Sequence, residues 1–121
     1  MNTSEEISKA IMAHGQWKQK LRSAIDTGAS ESTPEKVCKD NNCSFGKWLY
    51  DRIDVSEKAS PHYSEAVKLH AKFHVEAAAV LKLALSGRVI EANQGVALNS
   101  EFSKISGELT REMKAWQQSL H

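Results

Sequence analysis

The chain has 121 residues, one domain's worth, and a chain near this length buries roughly two-thirds of the surface it exposes when unfolded, enough for one core without staples. Sixteen Lys and Arg against fifteen Asp and Glu leave a net charge of +1, so charge gives no reason to expect a nucleic-acid partner or an acidic membrane surface. No apolar run approaches the ~20 residues of a spanning helix, and the opening Met1-Asn2-Thr3-Ser4-Glu5-Glu6 is too polar and acidic for a signal peptide. The expectation is a single domain over residues 1–121, soluble and cytoplasmic, with no membrane partner.

Thr3 with Glu6 three residues on reads as a capping box. Ile7, Ile11, His14, Trp17 or Lys18, Leu21 and Ile25 then recur at spacings of three and four, which predicts one helix over about 4–27. Thr27-Gly28-Ala29-Ser30 stops it, with Gly28 as the C-terminal cap. Residues 29–42 are polar, hold Pro34 and Asn41-Asn42, and read as a connection with room for a turn of helix after Pro34. Residues 43–51 read as a short helix with Cys43 at its start, where free N–H groups and the helix dipole favour a thiolate. Ser60 as cap and Pro61 at the first helical position open the next helix, whose stripe runs Tyr63, Val67, His70, Phe73 or His74, Ala77 and Leu81 until Ser86-Gly87. From about Arg88, Ile90, Leu98, Phe102, Ile105, Leu109, Met113 and Trp116 form a second long stripe, on a helix that Gly95 and Gly107 weaken. No strand-like alternation persists. The fold class is all-α, most simply an antiparallel four-helix bundle with an additional short helix carrying Cys43.

Four residues on or beside this core period carry chemistry: His14, Cys43, His70 and His74. His70 and His74 are four apart, so their rings share one helix face at about 5–6 Å between Cβ atoms. Imidazole nitrogen and thiolate sulfur are the donors that tetrahedral Zn²⁺ prefers. A helix start lowers a thiol pKa, which suits coordination at neutral pH. On the residues alone a second reading stands beside this one: three buried histidines, each satisfied by an ordinary hydrogen-bond partner. Cys38 and Cys43 are too few and too close for a disulfide framework. His62 lies roughly 80° around the helix from His70 and is left out of the set, and His121 is terminal. Lys18, Lys20, Arg22, Glu108, Arg111 and Glu112 read as a solvated face with no assigned role.

His14-Gly15-Gln16-Trp17, a gap of twenty-five residues, Cys43-Ser44-Phe45-Gly46-Lys47-Trp48, a gap of twenty-one, and His70-x-x-x-His74 together resemble the signature of the chemoreceptor zinc-binding (CZB) family. That signature has a His followed three residues on by an aromatic, a Cys-x-apolar-Gly-x-apolar block, and a His-x-x-x-His pair. The resemblance covers about residues 7–118. It implies one zinc per chain on His14, Cys43, His70 and His74, in a helical bundle that is often a homodimer. It also implies a regulatory role, on a chemotaxis receptor or a diguanylate cyclase and hence cyclic-di-GMP signalling, in response to zinc or to hypochlorous acid through the Cys–zinc pair. Gly46 would let the short helix approach the ion closely, and Trp17, Phe45 and Trp48 would shield the site or simply pack the core. Cys38 lies outside the motif. It reads as a free thiol, with the sharper alternative that it resolves an oxidised Cys43 as a disulfide.

Three histidines and a thiolate fill four tetrahedral positions, whereas a catalytic zinc keeps one open, usually beside a general base. His70 is followed by Ala71, not by the Glu of a His-Glu-x-x-His site, so the expectation is no enzyme. A di-iron centre needs more histidines and bridging carboxylates, and haem attachment needs a Cys-x-x-Cys-His that is absent. No signalling coiled coil or cyclase domain is legible, which points to a free-standing sensor with a signalling partner or to an output assembled elsewhere. The remaining alternative is a zinc-stabilised scaffold or interaction domain with no sensing role.

Overall fold

The apolar period that follows Thr3 runs through two helices instead of one. In the computed structural model, which describes residues 3–30, 33–39, 43–53 and 55–120, α1 spans Thr3–Gly15 and α2 spans Trp17–Thr27. The break falls at Gly15 and Gln16, where glycine weakens a helix interior and the Gln16 N–H donates to the Ala13 carbonyl at 3.3 Å, a bond three residues back. Gln16 keeps right-handed helical angles (φ −79°, ψ −14°), so the chain tightens without reversing. The buried phase survives: Ile7, Ala10 and His14 on α1, and Leu21, Ala24 and Ile25 on α2, all face inward. α1 already includes Thr3, so Thr3 is not the cap of a helix starting after it, and Glu6 is buried. Gly28 closes α2 at φ 73°, with its N–H bonded to the Ala24 carbonyl, as its position after the last apolar residue predicts.

The polar connection holds one helical turn, α3 (Pro34–Val37), capped by the Thr33 side chain. Asn41-Asn42 lie outside the described residues. α4 (Ser44–Lys47) follows, with Cys43 as its N-cap residue, and runs into a π-helical turn over Trp48–Arg52 closed by the Ile53 N–H on the Trp48 carbonyl at 2.9 Å. A 3₁₀ segment at Val55–Ala59 leads to α5 (Pro61–Leu85), which Ser60 caps by accepting from the His62 N–H.

The last stripe also divides, into α6 (Val89–Gly95) and α7 (Glu101–Ser119). Ser100 caps α7 through the Ser103 N–H, and the Ser103 hydroxyl donates to the Ala97 carbonyl at 2.7 Å, which fixes the turn. This interruption shifts the helical phase. Ile90 and Leu98, expected on the core stripe, are 76% and 87% exposed, while Ala92 and Val96 turn inward. Gly95 permits close passage of α6 over α5, since a Cβ there would lie 2.8 Å from Val80 Cγ2.

Every regular element among the described residues is helical, and none is a strand. α5 is the central element: it packs against α7, α2, α3 and α6, while α1 packs on α7 and touches α4. The core joins Ile7, Leu21, Phe73, Leu81, Phe102, Leu109, Met113 and Trp116, all nearly inaccessible. Trp48 reaches this core through Trp116, ring centroids 6.0 Å apart, and the Tyr63 hydroxyl ties α5 to the π turn by donating to the Leu49 carbonyl at 3.0 Å. No helix among the described residues is long and apolar enough to cross a membrane.

Candidate metal centre

Packing α1 and α4 beside α5 brings His14, Cys43, His70 and His74 together, with one nitrogen or sulfur from each within 4.8 Å of all the others. They come from the last turn of α1, the cap of α4 and two successive turns of α5. The three histidines are buried, at 5%, 0% and 3% exposure, and Cys43 is half-buried. The His70 Nε2 lies 3.2 Å from Cys43 Sγ and 3.1 Å from His74 Nε2. The edge of a tetrahedron built on Zn–N bonds of about 2.0–2.1 Å is about 3.3 Å, so these separations fit two donors sharing one ion.

Backbone carbonyls orient two of the rings. His14 Nδ1–H donates to the Ala10 carbonyl at 2.7 Å, and His74 Nδ1–H donates to the Val37 carbonyl at 2.9 Å. A carbonyl can only accept, so the proton sits on Nδ1 and the lone pair on Nε2, turned toward the cluster. The His14 Nε2 is buried and has no hydrogen-bond partner among the described residues. An ordinary core histidine would have such a partner, and a bound cation would supply what is missing. On the sulfur side, the Gly46 N–H donates to Cys43 Sγ at 3.3 Å, a cap that favours the thiolate.

Aromatic rings surround the histidines. Phe45 stands edge-on to His14 and His70 at 5.9 and 5.2 Å, Phe73 stands edge-on to His14 at 5.0 Å, and Trp48 stacks on Phe45 at 5.7 Å. Burial pushes His14 down to about 4, against the Ala10 hydrogen bond and with help from His74 and Lys20. Burial, then the charges of His14 and His74, push His70 down to about 2. Both imidazoles are therefore neutral at pH 7, the state a metal requires.

Other residues fall where sequence placed them, with one exception. Cys38 is exposed, donates to the Glu35 carbonyl at 3.2 Å and stands outside the cluster. His62 is also outside it, but it pairs with Glu112 at 2.7 Å, joining α5 to α7. Glu112 is thus half-buried and engaged, not part of a solvated face. His121 lies outside the described residues. Trp17 packs against the core from the edge of the site, and Phe73 is the ring against His14 and His74 that motif spacing does not single out. The carbonyls of Ala10 and Val37 were illegible in sequence, because every residue has one and only packing selects which is used.

The model of the chemoreceptor zinc-binding domain family matches residues 14–81, more than half of the chain, and this span contains all four clustered residues. No curated protein and no solved structure matches the chain significantly. Nitrogen and sulfur donors gathered among aromatic rings are an environment that Zn²⁺ takes in preference to harder cations, and Zn²⁺ is the cofactor of this chain. The chain belongs to the chemoreceptor zinc-binding domain family.

Proposed function

We propose that His14, Cys43, His70 and His74 hold one Zn²⁺ through three imidazole nitrogens and one thiolate, and that this centre makes the chain a regulatory module. The observation that carries the reading is the approach of four donor atoms to within 4.8 Å of one another from three separate segments. The zinc supplies a cross-link between these segments that exists only while the ion is bound. Four protein donors leave no position for water or substrate, so the centre is read as non-catalytic. His14 ties α1, Cys43 ties α4, and the His70–His74 pair anchors both to α5; the Val37 carbonyl brings α3 into the same unit through His74. Loss of the ion or oxidation of the sulfur would free α1, α3 and α4 from α5 and bias the helix arrangement.

The single domain over residues 1–121 is read as an antiparallel four-helix bundle, cytoplasmic and homodimeric. It would pass this change to a chemotaxis receptor or a diguanylate cyclase. The family supports that class of output, and the near-neutral charge supports a protein partner over a nucleic acid. The test has two parts. Metal analysis and X-ray absorption of the purified protein should give one zinc per chain with one sulfur and three nitrogens in its shell; an oxygen-dominated shell refutes the ligand set. A chelator should then change helix arrangement or dimer contacts while the fold survives. If zinc removal only unfolds the chain, the scaffold reading replaces the sensor.

A further inference from the structure

Glu6 is the one acidic residue buried among the described residues, at 7% exposure, and it has no hydrogen bond or ion pair with any of them. Burying an unpartnered carboxylate costs free energy, so its position calls for a reason. It lines a cavity of about 390 Å³ whose wall also holds His14 and Cys43, two of the four donors. On α1, Glu6 precedes His14 by eight residues, about 12 Å of helix rise. It stands outside the group of donors whose atoms lie within 4.8 Å of one another. Lys9 and Lys20 line the same cavity but are exposed, where water and salt screen an ammonium more than they screen a buried charge. His70 and His74, at 0% and 3% exposure, are not among its lining residues. By this route an ion from solvent meets Glu6, Cys43 and His14 before it meets the α5 pair.

We propose that Glu6 is an exchange ligand for zinc: its carboxylate takes the ion transiently in the cavity, passes it to Cys43 and His14, and receives it again on release. The proposal rests on the zinc reading above and concerns the traffic of the ion, not its resting shell. Carboxylate oxygen is an ordinary zinc ligand at about 2.0–2.2 Å. It is also harder than imidazole or thiolate, so it yields the ion to them. Each arriving donor displaces a water or the donor before it, and no electron changes hands. The same intermediate lies on the way in and on the way out. Glu6 therefore speeds both directions equally and leaves the affinity where the four donors set it.

The test follows zinc out of the full zinc-loaded chain into excess pyridylazoresorcinol, whose zinc complex absorbs visible light, and measures affinity by competition with the same chelator. Glu6→Gln should release zinc about three- to tenfold more slowly while its affinity stays within about twofold, so that uptake slows by the same factor. Glu5→Gln, which removes an exposed charge one residue away and outside the cavity wall, should leave the rate unchanged. An unaltered release rate in Glu6→Gln overturns the proposal. So does faster release with weaker affinity, which would make Glu6 a holder of the bound ion. Equal slowing in Glu5→Gln overturns it too, because the effect would then be one of net charge. Circular dichroism checks the fold of each variant. If Glu6→Gln is unfolded, Glu6→Asp, which draws the carboxylate back by one methylene, stands in for it, with slower release expected and an unchanged rate overturning. X-ray absorption on the same samples reports separately on the zinc centre. A shell of one sulfur and three nitrogens with unaltered rates sinks the exchange role alone, whereas an absent or oxygen-dominated shell sinks the ligand set.

Discussion

Cys43 and Cys38 are five residues apart and have opposite surroundings. Cys43 accepts a backbone N–H and lies 3.2 Å from His70 Nε2, whereas Cys38 is exposed and bonded to its own helical turn. Cys43→Ala should therefore weaken zinc binding by more than about 100-fold, since even outer residues of a metal site are worth 10–100-fold. Cys38→Ala should leave affinity within about twofold, because it removes no partner of the cluster; competition with a chromophoric chelator measures both, and equal losses would assign the thiolate wrongly. The histidines set a second expectation, for the zinc-free protein. An unfolded chain protonates His14 and His70 near 6.5, while the folded chain holds them at about 4 and about 2. Below about pH 6.5 the unfolded state thus binds more protons, so stability falls as pH falls from about 6.5 toward about 4, and above about 6.5 these two groups add no slope. A urea midpoint that is the same at about pH 7.5 and about pH 5 would contradict this. That these four residues come together was readable because only a few residue types bond a soft cation. Their orienting carbonyls, Ala10 and Val37, were not, because a peptide carbonyl has no letter of its own in the sequence.

At the scale of elements, periodicity located the helices but could not see where they break. Both missed breaks, at Gly15-Gln16 and at 96–100, keep an apolar spacing close to the helical one across the interruption. The first leaves the phase intact, so its effect on burial is nil. The second rotates it, and Ile90 and Leu98 face solvent as a result. Gly95 sets how closely α6 lies on α5. Gly95→Ala would press a methyl against Val80 Cγ2 at 2.8 Å, and valine has little χ1 freedom to yield. The expected loss is about 1–3 kcal/mol in denaturant titration, as for other overpacked sites. In a double-mutant cycle, Val80→Ala should relieve part of it; no coupling between the two positions would mean that α6 simply moves away. By contrast, Gly28, Ser60 and Pro61 were legible outright, because caps are local chemistry.

For the whole molecule, the apolar core and the donor cluster join different parts. Phe73, Phe102, Leu109, Met113 and Trp116 pack α5 against α7 without help from a donor, whereas α3 and α4 are short and reach α5 largely beside the cluster. Removing zinc should therefore raise amide hydrogen exchange in α3, α4 and the end of α1 by at least about tenfold while the α5–α7 amides keep their protection. Uniform loss of protection would mean that the ion supports one cooperative unit, as in the scaffold reading. The all-helical class, the caps and the four chemically marked residues were determined by the sequence itself, since period, capping and donor type act over a few residues or reside in a single side chain. Tertiary structure alone decided where helices break, which carbonyls hold the rings, that His62 pairs with Glu112, and that Cys43 is the donor left half-open to a cavity. Those outcomes depend on distances between segments tens of residues apart, which close packing sets and no local pattern encodes.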